Sequence, residues 1–558
     1  MELNHQKVCG MLVAVVSLCF VVGSSSASAQ CAGAAQCNKK VDMRTEIYKS
    51  LTAVPVSFPT SQDEDKDGVM TAEYWKIWNS EIQKKIDADI DKYRKTNVDI
   101  DLSDKKIKKG TKIKVELLVG DVWFGAHIFN YNQLGNHEAN ERFKSIWGNL
   151  FTSATVAFYW KNFETEPGRL RFREEYWDTE EWWNKQDAPY KYHHWRRPAS
   201  DPVVNFLKER GVRIQGHCLI WGNRGGSTPV WYADALLDSN EYKTFRRLTD
   251  FSPYSWEFVG NGKDNTPWKK EFKDMTVEQV EDSFPHLARI YWNFLDRHIR
   301  DIADYYKDGV EAWDVVNESA QDLLKGYSMN VGGKLMKSHY GIMPADFTFK
   351  SFQTANEVFP KSVKLIINDW ENGPTYVNQV KDLLVRGCRI DYIGSQMHLF
   401  RPKQCSDIAM GAQIETPEQE WKKLALLSQT GLPIHLSEIT ITAPNDDTRG
   451  RLIQAVIAYN LYRLWFSTEK MAGITWWNSV DGCASKNEPS TSGLFTRDMQ
   501  PKPSFFALDR LINHEWKTNI ERAADNDGHL RFRGFKGTYR ISWTDRKGNT
   551  QSMEYTAK

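Results

Sequence analysis

The sequence predicts an α/β fold, a (β/α)8 TIM barrel, flanked by a small β module formed by N- and C-terminal segments. Three observations carry that reading. Short apolar runs recur through residues 120–515, at Val122–Phe129, Ser153–Phe158, Val212–Leu219, Ala312–Val316, Lys364–Ile367, Tyr392–Gln396, Ile434–Ser437 and Gly473–Trp477. Helical stretches separate them: Leu287, Ile290, Tyr291, Phe294, Leu295, Ile299 and Ile302 recur at helical spacing, with Arg and Asp on the opposite face. A doubly wound sheet shares this alternation, but no Gly-rich phosphate turn follows the first run, which favours the barrel.

Residues 1–29 read as a secretory signal peptide: Lys7, an apolar run from Met11 to Val22, and Ala27-Ser28-Ala29 before Gln30. The run is too short for a membrane anchor and no later run matches one, so a secreted or periplasmic protein with no membrane partner is expected. Cys31, Cys37, Cys218, Cys388, Cys405 and Cys483 remain after cleavage, in a spacing that fits no zinc pattern. Cys31 and Cys37 are the nearest pair; Cys218 sits in an apolar run and reads as a core thiol.

Residues 30–96 are polar, with a helix expected near Ala72–Arg94. Before it, Asp63-Glu64-Asp65-Lys66-Asp67-Gly68 has the alternating carboxylates and sharp-turn Gly of an EF-hand loop. Tyr74 stands where the bidentate Glu belongs, and Pro59 leaves little room for an entering helix. A structural calcium held by Asp63, Asp65 and Asp67 therefore competes with a solvated acidic turn. Residues 97–119 alternate as half-buried strands (Val98–Leu102, Ile113–Leu117), and residues 516–558 repeat the texture at Leu530–Arg533, Tyr539–Trp543 and Gln551–Tyr555. Pairing of these two ends is the expectation. Two long connections, Arg171–Asp201 and Gly222–Val277, leave the barrel on the side where strands end. The first holds Trp177, Trp182, Trp183, Tyr190, Tyr192 and Trp195, either as platforms for a chain-like ligand or as a cluster packing the loop down.

Lys and Arg total 73 against 72 Asp and Glu, a formal charge of +1, so no global field favours nucleic acid. Twenty-two Trp and 22 Tyr suit neutral sugars, whose C–H faces pack on aromatic rings, although many must serve the core. Two of the apolar runs end in carboxylates: Trp313-Asp314-Val315-Val316-Asn317-Glu318 and Pro433-Ile434-His435-Leu436-Ser437-Glu438. Either Glu alone could simply end its strand in solvent. Together at the carboxyl ends of two barrel strands, they suggest an acid and a nucleophile facing one glycosidic bond.

With these runs in place, residues 120–512 resemble glycoside hydrolase family 10, the xylanase family. Trp313–Glu318 is similar to its acid/base motif and Leu436-Ser437-Glu438 to its nucleophile motif. Gly216-His217-Cys218-Leu219-Ile220-Trp221, Asn368-Asp369-Trp370 and Gly394-Ser395-Gln396-Met397-His398-Leu399 are similar to its third, fifth and sixth strand motifs. Ile474-Thr475-Trp476-Trp477 with Asp481, followed by Pro501-Lys502-Pro503, is similar to its eighth strand and exit. The resemblance implies that Glu318 is the acid/base and Glu438 the nucleophile of a retaining hydrolase that needs no cofactor. It implies that Asn317 donates to the sugar 2-hydroxyl, and that His217, Trp221, Gln396, His398 and Trp477 wall the cleavage subsite. The family's second strand ends in an Asn-Glu pair followed by a Lys and a Trp. Here the run is Val156-Ala157-Phe158-Tyr159-Trp160, keeping only the Trp, so Trp160 is the one sugar-side residue retained there. Gly222 replaces a His, and Thr440 replaces the Asp that steadies the histidine matching His398.

The expected protein is thus a secreted, monomeric β-glycosidase acting on xylan or a related β-linked polysaccharide. A transglycosylase or a relative with shifted specificity is the alternative within the class. A non-catalytic glycan-binding protein is the alternative outside it, and keeping both Glu318 and Glu438 speaks against that.

Overall fold

The computed structural model describes residues 42–105, 107, 110–173, 198–222, 229, 237–248, 270–306, 309–324, 333–338, 341–484 and 490–558. The signal peptide, the Cys31–Cys37 pair and the six aromatic residues named in the first long connection lie outside them. Three helices come first, α1 (Met43–Thr52), α2 (Ala72–Ile77) and α3 (Ser80–Arg94), followed by strands β1 (Lys95–Asp101) and β2 (Lys112–Gly120). The barrel strands are β3 (Trp123–His127), β4 (Ser153–Ala157), β5 (Arg213–His217), β6 (Ala312–Asn317), β7 (Lys364–Asp369), β8 (Tyr392–Leu399), β9 (Ile434–Ile441) and β10 (Met471–Trp476). Strands β11 (Asn519–Ala523), β12 (His529–Phe535), β13 (Gly537–Thr544) and β14 (Thr550–Ala557) end the chain.

Every apolar run singled out in the sequence forms a barrel strand. Each pairs in parallel with its neighbours from β3 round to β10, and the sheet closes where β10 pairs with β3, Gly473 opposite Trp123. The strands read as continuous apolar runs because both faces are covered, one by the barrel interior and one by helices. The helix expected around Leu287–Ile302 spans Pro285–Tyr306 and buries Leu287, Tyr291, Leu295, Ile299 and Ile302. Cys218 is fully buried, as expected for a core residue.

Trp313 shows how one side chain sets a strand contact. Its ring is wholly buried against Phe158, with centroids 4.7 Å apart, and against Phe359. It occupies the space where a side chain at position 216 would stand: a Cβ on Gly216 would lie 2.2 Å from Cζ3 of the ring. The glycine in β5 therefore lets the tryptophan of β6 lie flat on the neighbouring strand.

The N- and C-terminal segments pair as expected. β1 runs antiparallel to β12, Val98 opposite Phe532, and β2 lies between β11 and β13, with Val115 opposite both Ile520 and Ile541. Strand β11 has no counterpart among the expected runs; its residues are mostly exposed, so no apolar alternation marks it. Arg94, only 3 % exposed, donates to the carbonyls of Met471 and Thr468 beneath β10, tying this module to the barrel.

One expectation for residues 30–96 needs correction. The single helix Ala72–Arg94 is broken at Trp78 and Asn79, because the Asn79 side chain accepts from the amides of Glu81 and Ile82 and so caps a new helix. The region packs on the barrel. Asn460 on the barrel helix Thr448–Phe466 bonds both Tyr74 and Gln83, Tyr48 donates to Asp509, and residues 43–558 form one compact unit.

The acidic turn is held by hydrogen bonds of its own. Asp65 turns inward, its two oxygens accepting from Val69 N, Met70 N and Trp75 Nε1 at 2.7–2.9 Å, while Asp63 and Asp67 are exposed. Among the described residues these three carboxylates bring no common set of ligand atoms together. Asp65 organises the turn through these protein donors.

Two measurements follow from the packing. Gly216→Ala should destabilise the protein by roughly 1–3 kcal/mol, seen as a lowered thermal midpoint, and adding Trp313→Leu should recover part of that loss. His435, near the start of β9, is buried with Nε2 2.8 Å from the Thr475 hydroxyl, and burial lowers its pKa to about 4. The unfolded chain protonates His435 near its ordinary value, so the stability this group contributes is complete above about pH 6.5 and is lost as pH falls toward 4. His435→Gln should flatten that part of the melting-temperature profile.

Candidate active site

The carboxyl ends of the barrel strands open into a cleft of about 760 Å³. It is lined by His127 from β3, Tyr159 just past β4, His217 and Trp221 around the end of β5, and Asn317 and Glu318 from β6. Trp370 past β7, Gln396 and His398 from β8, Glu438 from β9 and Trp477 past β10 complete the ring. Parallel strands all point their carboxyl ends the same way, which is why residues far apart in sequence converge here.

Glu318 and Glu438 share this cleft and one hydrogen-bonded chain. Gln396 Nε2 lies 3.3 Å from Glu318 Oε1 and 3.4 Å from Asn317 Oδ1. Asn368 Nδ2 donates to Asn317 Oδ1 and to Glu438 Oε1, each at 2.8 Å. Trp221 Nε1 donates to Glu318 Oε2 at 3.1 Å. With its oxygen accepting from two amides, Asn317 keeps its Nδ2 as the donor end for a ligand. Glu318 itself has φ +57°, a left-handed conformation uncommon for a side-chain-bearing residue, and its amide donates to the Asn368 carbonyl at 2.7 Å.

Glu438 sits deeper than Glu318. Burial pushes its carboxyl up to about 8; the His217 ring opposes the rise and the Glu318 charge adds to it. His217 Nε2 is 3.9 Å from Glu438 Oε1 while its Nδ1 lies 2.7 Å from Asp314 Oδ2. Burial works against a charged His217, but the Asp314 hydrogen bond and the nearby carboxylates outweigh it and raise its pKa. Gln215 Nε2 donates to both oxygens of Asp314 at 2.9 Å, fixing that carboxylate behind the histidine. His398 reaches Glu438 from the other side, Nε2 to Oε2 at 3.5 Å, and its Nδ1 faces the Thr440 hydroxyl at 2.9 Å. Thr440 thus fills the place of a carboxylate with a neutral partner.

Of the residues expected at the site, the cleft brings together Glu318, Glu438, Asn317, His217, Trp221, Gln396, His398 and Trp477. Trp160 is the exception. It begins the short helix Trp160–Phe163, which turns it away from the cleft; the ring stacks on His298 at 4.3 Å and its Nε1 donates to Glu164. Phe158 also faces the helix layer, against Trp313 and Tyr306. Tyr159 alone of that run lines the cleft, beside Phe129 and Trp477 in an aromatic wall. Residues not singled out as site residues complete the arrangement. Asp314 and Asn368 hold the histidine and the nucleophile candidate, and Ser437 Oγ donates to Asn368 Oδ1 at 2.5 Å. A Cβ on Gly394 would fall 2.6 Å from Asn368 Oδ1, so that glycine makes room for the amide. These partners face into the structure as polar members of apolar runs, and only the neighbouring strand gives them meaning.

One carboxylate–histidine grouping with metal-ligand geometry occurs among the described residues, Asp238, Glu241 and His286. It is engaged as a helix cap: Asp238 Oδ1 accepts from the amides of Asn240 and Glu241, and Glu241 accepts from the His286 amide.

Residues 268–510 match the model of glycosyl hydrolase family 10. Curated relatives include endo-1,4-beta-xylanase A of Halalkalibacterium halodurans, 27 % identical over 212 residues, 37 % of this chain and 42 % of the relative. The endo-1,4-beta-xylanase A of Thermoanaerobacterium saccharolyticum is 24 % identical over 55 % of this chain and 22 % of its own length. The thermostable celloxylanase of Thermoclostridium stercorarium is 24 % identical over 55 % and 71 %. The chain therefore spans less than half the length of the first two. Among solved structures, xylanase 10B of Thermotoga petrophila in complex with xylobiose is similar over 71 % of this chain and 95 % of that one, at 17 % identity and a TM-score of 0.45.

The mutual influence of the two carboxyls within this cleft can be measured directly. Because the Glu318 charge raises the Glu438 pKa, Glu318→Gln should lower the pH at which Glu438 takes up its proton, by about one unit. Difference infrared titration of the carboxyl band tests this. An unchanged midpoint would show that the two groups do not sense each other.

Proposed function

We propose that the protein is a secreted, retaining β-glycanase that cleaves xylan or a related β-linked polysaccharide by double displacement, with Glu318 as acid/base and Glu438 as nucleophile. The observation that carries this reading is the convergence of both glutamates on one cleft through the Asn317–Asn368–Gln396 chain. The xylanase and celloxylanase names of the relatives support the substrate class. Among the described residues, no helix is long and apolar enough to cross a membrane.

Double displacement needs one proton on the pair of carboxyls, an acid on one and a carboxylate on the other. The productive arrangement has that proton on Glu318. It passes to the glycosidic oxygen as the bond to the anomeric carbon breaks, and a Glu438 oxygen forms a glycosyl ester on that carbon. The leaving chain departs with the proton. Glu318, now ionised, takes a proton from water, whose oxygen displaces Glu438 and regenerates both groups. Growing positive charge on the sugar ring favours the ionised form of Glu438, which burial alone disfavours. Two carboxyls suffice, so no metal is required.

The wall formed by Phe129, Tyr159 and Trp477 favours a second reading within the class, shifted sugar preference. An aromatic surface offers a pyranose stacking area where amide and carboxylate partners would offer hydrogen bonds.

The test is a panel of β-1,4-xylan, mixed-linkage glucan, cellulose and mannan digested by wild type and by Glu438→Ala. Wild type should release sugar from at least one of them, and Glu438→Ala should lose on the order of 10⁴-fold or more. Proton NMR of the first-formed product should show retained β-configuration, and chelators should leave the rate unchanged. An α-product would sink double displacement. Greater activity on a β-glycan other than xylan would decide for shifted specificity.

A further inference from the structure

The adjacent pair Asn368–Asp369 at the end of β7 touches the machinery of both glutamates, in two different ways. Asn368 holds the nucleophile side with its side chain, Nδ2 to Glu438 Oε1 at 2.8 Å. Its backbone carbonyl holds the acid side, accepting the Glu318 amide at 2.7 Å. Asp369 then secures the turn that follows Glu318. Its Oδ2 accepts the Ala320 amide at 2.8 Å, and its Oδ1 accepts Gln321 Nε2 at 3.2 Å and the Glu371 amide at 2.9 Å. Asp369 is completely buried and does not line the cleft, so it touches no substrate. Glu318 needs such restraint, because its left-handed φ of +57° persists only where surrounding bonds over-determine it.

Resting on the glycosidase reading above, we propose that Asn368 and Asp369 are positioning residues that act as a two-sided clamp. The Asn368 side chain sets the nucleophile, and the Asp369 carboxylate sets the acid/base turn, so that one rigid strand end fixes the spacing of the two groups. A carboxylate accepting from two backbone amides and a side-chain amide on opposite sides suits this role. The amide of an Asp369→Asn variant has a single acceptor oxygen and must turn a donor toward one of those N–H groups. Misplacing a reacting group by a fraction of an ångström is enough to cost rate without unfolding the protein.

The clamp predicts opposite leaving-group signatures for its two halves. Proton donation matters for a sugar leaving group and little for an acidic phenol, whereas nucleophilic attack matters for both. Asp369→Asn should therefore lower kcat/KM on the polysaccharide by about 100-fold or more while changing kcat/KM, which reports the first step alone, on a dinitrophenyl glycoside of the same sugar by less than about threefold, the pattern also expected of Glu318→Gln. Asn368→Ala keeps the carbonyl and loses the amide donor; it should lower both substrates alike, by about 10-fold or more. If Asp369→Asn fails to fold, Gln321→Leu removes one bond to the same carboxylate and should show the same selective loss in milder form. Equal losses on both substrates for Asp369→Asn or Gln321→Leu would overturn the acid half of the clamp. A leaving-group-selective loss for Asn368→Ala would overturn the other half. Wild-type protein inactive on both substrates would instead overturn the glycosidase reading, a result distinct from either.

Discussion

The parallel register of β7 against β6, with Asn368 opposite Asn317, is the constraint on which the site depends. It sets two amides side by side at the carboxyl edge of the sheet, and from there one network reaches Glu318 on one side and Glu438 on the other. The register shifts between Ile366 and Ile367, an irregularity just ahead of the residues that matter. Bulges of this kind re-aim the side chains that follow them. A further shift by one residue would put Asn368 on the opposite face of β7 and disconnect both glutamates.

Around that register the barrel solves a problem of buried charge. Asp314, His217 and Glu438 are all nearly inaccessible, yet each meets a partner of opposite charge or a hydrogen-bond donor. Isolated, any one of them would be costly to ionise in such surroundings. Arranged in sequence from Gln215 to Asp314 to His217 to Glu438, they pass polarity from the middle of the barrel to its mouth. The aromatic wall of Phe129, Tyr159 and Trp477 adjoins this chain, the Tyr159 and Trp477 rings meeting the His217 ring edge-on at 5.3 and 5.4 Å.

Much of this was legible in the sequence, and what was not has definite reasons. All the barrel strands announced themselves, because parallel strands covered on both faces must be apolar throughout. Glu318 and Glu438 were legible because a carboxylate ending such a run is conspicuous. Asn368 and Asp314 were harder: each is a polar residue inside an apolar run, and its purpose depends on partners on other strands, β6 and β9 for Asn368 and β5 for Asp314. Trp160 misled because aromatic identity does not fix direction; one turn of helix carried the ring from the cleft to His298. The break at Asn79 was hidden for a related reason, since the same residue is tolerated within a helix and favoured as its cap. The acidic turn shared the alternating carboxylates of a cation loop, but Asp65 found protein amides first.

Strand β2 belongs to the front of the chain, yet it forms the middle of a sheet whose other members all come from the back. Such an interleaved arrangement means the barrel is not a cassette that can be lifted out at its own boundaries. Cutting the chain ahead of Trp123 would take away the central strand and leave β11 and β13 with bare backbone edges and the apolar faces of Tyr539 and Ile541 uncovered. A truncation that keeps one end of this module must therefore keep the other.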